Sequence, residues 1–203
     1  MKTLLNLYQP AHTALNHTRF ADGLAPLLLR LYLAPVLMQA GWNKLSHFED
    51  TVAWFGDPDW GLGLPMPELM AGLAAGTEFV GGIFLIFGFA IRWISIPLMA
   101  TMLVAALTVH WENGWLAIAD ASSWLANDRV VEAGERLDSI KSILQEHGHY
   151  GWLTSRGSVV VLNNGIEFAI TYFIMLLSLF FSGGGRFLSL DYWLARQYGF
   201  LNK

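Results

Sequence analysis

The sequence predicts an all-α protein: a bundle of four transmembrane helices with a helical extramembrane insertion between the third and the fourth. Three observations predict it. Apolar residues make up 54% of the 203-residue chain and charged residues only 14%, with a mean hydropathy of +0.42, which is too apolar for an ordinary soluble domain. They lie in blocks long enough, or nearly so, to cross a hydrocarbon core of about 30 Å at about 1.5 Å per residue. Trp42, Trp93, Trp111, Trp115 and Trp193 fall at or just beyond the block ends, where amphipathic rings prefer the headgroup region.

In chain order, Met1 to Asp22 lacks an apolar core followed by a small-residue cleavage site, so no cleavable signal peptide is expected. Leu4, Leu5, Leu7, Tyr8 and Leu15 suit a short interfacial helix instead. The first span is expected over 24–45, where Leu24 to Asn43 holds Arg30 alone among charged residues. The connection TVAWFGDPDWGLGLPMPELM is rich in Gly and Pro. It reads as an ordered re-entrant or interfacial loop, either a lid or an anchored surface loop, with Pro67 or Glu68 opening the next helix.

The second span is expected over 69–91, with Glu78 as its lone charge. Gly72 and Gly76 have the small-xxx-small spacing, which favours tight packing inside the bundle over dimerisation, although a homo-oligomer stays open. The third span, 93–110, is expected to be the shortest. Pro35 and Pro97 should bend the first and third helices. The outer insertion covers 111–164. Within it Asn127 or Asp128 caps a helix to about His147, whose Val130, Val131, Leu137, Ile140, Ile143 and Leu144 should face the membrane surface or the bundle mouth. The fourth span is expected over 165–184, and the whole forms one domain, 1–203.

Charge sets the orientation. The N-terminal segment, the short second turn and the C-terminal tail hold Lys2, Arg19, Arg30, Arg92, Arg186, Arg196 and Lys203, so both termini are expected to be cytoplasmic in a multi-pass protein of a bacterial inner membrane. Nearly all acidic residues lie on the opposite side, giving a negative field that favours cations and excludes nucleic acid. The chain has no cysteine, which excludes a disulfide, a thiol nucleophile and a thiolate metal site.

The candidate site follows from Glu78. An acidic residue at the centre of a membrane helix is unfavourable by roughly 2.5 to 3.5 kcal/mol and is kept where a partner, a cavity or a proton relay uses it. Lys44, His110, Glu112, Asn163, Asn164 and Glu167 lie at the outer ends of the spans and are expected to converge with it on a half-buried polar pocket. Glu78, His110 and Glu167 are the candidate proton or redox groups, and Arg30, Lys44, Arg92, Glu112 and Asn164 the candidate binding residues. The alternative is an ion-pair network that only holds the bundle together. Copper could find imidazole and thioether donors at His147, His149, His110, Met66 and Met70, but none has diagnostic spacing and no metal ligand set is assigned.

RLYLAPVLMQAGWNKL at Arg30 to Leu45, LPMPELMAGLAAGTEFVGGIFLIFGFAIR at Leu64 to Arg92 and the helix ending in His110 resemble the DoxX family of small four-helix membrane proteins. HWENGWLAIADASSWLAN from His110, the stretch from Glu135 to Phe181 and GRFLSLDYWLAR from Gly185 are similar to its HvfX-type subgroup, from which the insertion sets shorter DoxX proteins apart. That resemblance implies an inner-membrane accessory protein in the maturation, export or redox handling of a copper-binding, ribosomally made and modified peptide (RiPP). Its partners would be the bilayer, that peptide and its maturation enzymes. The family's links to quinone-dependent oxidation of sulfur compounds imply a quinone as cofactor and a small oxidoreductase as the first alternative. Transport of the peptide or of copper is the second. The chain carries no haem, iron–sulfur or nucleotide motif, so redox work would need a membrane quinone or an outside partner.

Overall fold

The computed structural model describes residues 8, 10 and 12–199. Of the expected interfacial helix, Leu4, Leu5 and Leu7 lie outside the described residues, while 12–16 are helical and lead into a 3₁₀ turn over His17–Ala21. Among the described residues the regular elements are all helices, apart from one isolated bridge between Ile118 and Leu162.

The helices are α1 (Leu24–Ser46), α2 (Phe48–Gly56), α3 (Pro67–Phe87), α4 (Ile91–Val104), α5 (Asp128–His147), α6 (Tyr150–Leu153), α7 (Glu167–Ser182) and α8 (Leu190–Gln197). α4 continues through a π-helical stretch, Ala105–His110, and a 3₁₀ turn, Trp111–Asn113, so the third apolar element runs unbroken from Ile91 to Asn113. Among the described residues three elements are long and apolar enough to cross a membrane, and α7, with 16 residues, is a shorter fourth. These helices imply a lipid bilayer environment. The fourth span, not the third, is the shortest. Residues 161–167 pair with a neighbouring loop in extended geometry, which delays α7 until Glu167.

Helix borders follow local chemistry. Pro67 opens α3 at a position whose N–H has no helical partner, after Met66 in the left-handed region at φ 51°. Gly88, at φ 63°, closes α3, and the N–H of Phe89 reaches back to the Phe84 carbonyl, so the helix stops short of the expected residue 91. The 57–66 loop is ordered. Asp57 accepts from the N–H groups of Trp60 and Asp59, which hold its acid below the usual carboxylate range, and Leu62 and Leu64 donate to the carbonyls of Trp54 and Phe55.

The chain forms two compact units, Met1–Met99 with Ile174–Lys203, and Ala100–Phe173. In the first, α1 and α3 pack closely. A Cβ at Gly41 would meet Phe79 N at 2.5 Å and the Ala75 carbonyl at 2.8 Å, so only glycine lets the two backbones approach there. Leu33, Ala34, Leu37, Ala71, Ala75 and Leu85 are buried around this contact. Gly72 and Gly76 do not serve it: a Cβ at either would meet nothing within 4 Å. The expected packing role moves to Gly41 and Gly82, because the small-residue face that meets α1 is the one carrying Ala71, Ala75 and Gly82.

In the second unit Asn127 caps α5 by accepting from Val130 N at 3.1 Å. Of the apolar face expected on α5, Val130 is buried and Leu137 and Leu144 half-buried, whereas Val131, Ile140 and Ile143 are exposed. Docking is confined to the first turns. There Ala133 is buried, Gly134 lies against Ala121, and Arg129 donates to Asn163.

Candidate functional site

Within the first unit, Lys44 Nζ donates to Glu78 Oε2 at 2.6 Å. The Glu78 side chain is 5% exposed and that of Lys44 27%, so the carboxylate is enclosed while the ammonium reaches down to it from nearer the helix end. The short contact depends on helix packing. Gly41 sits one turn before Lys44, and the Ala75 and Phe79 backbone it admits flanks Glu78. Charge opposite charge at this depth offsets the cost of each.

The other end of the same unit holds Arg30 and Arg92. Arg30 has no exposed surface. Its Nη1 donates to the carbonyls of Leu85 at 3.3 Å and Leu188 at 3.2 Å, and its Nη2 to that of Phe187 at 2.8 Å. Ser189 donates to the Gly88 carbonyl, and Asp191 accepts from Ala90 N at 2.7 Å and Ile91 N at 2.8 Å. Together these bonds strap the segment before α8 across the α3–α4 turn. Arg92 is exposed, with Nε donating to the Phe180 carbonyl and its guanidinium 5.8 Å from the Phe180 ring centre.

In the second unit His110 Nδ1 donates to the Asn164 carbonyl at 2.8 Å, and Asn113 Nδ2 donates to the same oxygen at 3.1 Å. Glu167 Oε2 accepts from Ala117 N at 2.9 Å. Asn163, almost wholly buried, donates to the carbonyls of Asn113 and Leu116. Main-chain bonds from Asn163, Asn164, Gly165, Ile166 and Glu167 to carbonyls between Gly114 and Ala117 complete a polar clasp. His110, Asn164 and Glu167 are therefore neighbours, each engaged with main chain. Glu112 is exposed.

The sequence placed Lys44, His110, Glu112, Asn163, Asn164 and Glu167 in one pocket with Glu78; Lys44 meets Glu78 in the first unit, His110 and Asn164 meet in the second, and Asp191 and Asn113 were missed. The pattern Ser189-Leu-Asp191 ahead of an amphipathic stretch is a helix-cap signal that could have marked Asp191. His147 and His149 are exposed, and among the described residues no three His, Asp or Glu side chains come together as a metal set.

Comparison with known proteins places likeness on the first half of the chain. The DoxX family matches residues 25–111. The protein named "Putative oxidoreductase CatD" of Bacillus subtilis (strain 168) is 29% identical over 94 residues, which make up 46% of this chain. The matched stretch covers 66% of that relative's length. No solved structure matches. The likeness to DoxX proteins thus runs from α1 to the end of the third apolar element and takes in both Lys44 and Glu78.

Proposed function

We propose that this chain is an inner-membrane accessory protein whose Lys44–Glu78 pair handles a proton or cation during the maturation, export or redox handling of a copper-binding modified peptide. One observation carries the proposal: a 2.6 Å ion pair at Glu78, the one charge of α3 beyond its first turn. The resemblance of residues 110–196 to the HvfX-type subgroup supplies the client, and copper belongs to that peptide as cargo. The printed name of the Bacillus relative supports an oxidoreductase component as the second reading.

A quinone would need donors facing its ring oxygens. Arg30 gives both Nη nitrogens to main-chain carbonyls, its Nε is buried without a partner, and Lys44 is closed onto Glu78, so these residues do not present a pair of free donors to a quinone. What the chain itself supplies is a carboxylate that gains a proton when Lys44 moves away and releases it when the pair closes.

Glu78→Gln tests the proposal, because it keeps shape and polarity but removes the titratable proton. The variant should accumulate in the membrane at the normal level and lose copper tolerance or peptide maturation. A structural role predicts scarcity instead, since removing one partner of a buried pair costs roughly 3 to 5 kcal/mol. An abundant, fully active variant would dismiss both roles.

A further inference from the structure

A cleft of about 670 Å³ opens in the first unit where α1 and α4 begin and α7 ends. It is lined by Asp22, Arg92, Gly184, Gly185, Arg186 and Asp191, among others. Both carboxylates are engaged: Asp191 accepts from Ala90 N and Ile91 N, and Asp22 pairs with Arg186 Nη2 at 2.8 Å. The donors are in surplus. Among the described residues, the terminal nitrogens of Arg92 donate to nothing, and neither do the main-chain N–H groups of Gly184, Gly185 and Arg186. Gly184 is buried, where an unpaired N–H is costly. Gly183 and Gly185 lie in the left-handed region, at φ 70° and 71°, on either side of Gly184, and left-handed residues in such turns are a feature of main-chain anion nests.

We propose that this cleft binds the phosphodiester of a glycerophospholipid headgroup, held by the Arg92 fork and the N–H groups of residues 184–186. A phosphodiester presents anionic acceptor oxygens to a planar guanidinium and to converging amides, which is the complement of what the cleft offers. The source is lipid because Trp93 and Trp193, 77% and 70% exposed, stand beside these residues where the apolar helices end, the position of indoles at headgroup level.

The probes are a short-chain phosphatidylglycerol and inorganic phosphate, each added to the full-length detergent-solubilised protein. Amide exchange at residues 184–186 should slow with the lipid and stay unchanged with phosphate. Arg92→Gln should weaken lipid retention in native mass spectrometry roughly tenfold, the loss of one charge-assisted bond, whereas Arg196→Gln should not. Unchanged exchange at 184–186 with lipid overturns the proposal even if Arg92→Gln fails to accumulate. Equal slowing by inorganic phosphate overturns the lipid as its source.

Discussion

Arg30 shows how a buried guanidinium can direct all its hydrogen bonds to main-chain carbonyls. Its three carbonyl acceptors come from the end of α3 and from a segment more than 150 residues further along the chain, so the guanidinium ties the C-terminal strap to the helices it crosses. A lysine cannot span those acceptors, because its donors radiate from one nitrogen and not from a planar fork. Arg30→Lys should therefore lower stability by about 2 kcal/mol, read as a lower thermal midpoint in detergent, and should loosen protease protection around residues 187–189. An unchanged midpoint would show that the strap is held by Ser189 and Asp191 alone. The sequence offered Arg30 as a candidate binding residue of the Glu78 site, but its acceptors are main-chain carbonyls, which leave no signature and lie far away in the chain. For Glu78 the sequence offered several partners, and Lys44, the cation near the C-terminal end of α1, is the one that pairs with it.

At the level of elements, hydrophobic blocks and capping residues located α1, α3, α4 and α7 to within a few residues. Their contacts were harder to read. Gly72 and Gly76 carry the pattern associated with close packing, yet the approach of α1 to α3 runs through Gly41 and Gly82, one of them on the partner helix. Spacing along one helix does not say which face meets the other. Gly41→Val should push α1 from α3, because overpacking a backbone contact costs about 1 to 3 kcal/mol, and should lengthen the Lys44–Glu78 contact. Gly76→Ala should be nearly neutral. Thermal midpoints of the two purified variants check this, and equal losses would mean the α1–α3 contact is not as close as described. The π-helical stretch ending at His110, whose ring donates to the Asn164 carbonyl, was not legible either.

For the molecule as a whole, apolar blocks and absent strands made the fold class legible, because a backbone in lipid has few ways to satisfy its polar groups. Orientation rests on the asymmetry of Lys and Arg. We expect a reporter fused after Lys203 to be active in the cytoplasm and one inserted near Ser155 to be active on the opposite side; the reverse pattern would invert the arrangement. The arrangement of the outer segment was the least legible part, because its amphipathic helix α5 promised a docked face and only its first turns are held. The clasp between residues 113–119 and 161–167 has a bearing on how this segment can change over evolutionary time. Since its two ends are already joined by hydrogen bonds and the first turns of α5 are held against them, the stretch from about Leu137 to Val160 is a closed excursion whose length is free to drift. Doubling such a loop costs only about 0.6 kcal/mol of closure entropy, so this excursion is where lineages could add, trim or exchange recognition elements without disturbing the spans.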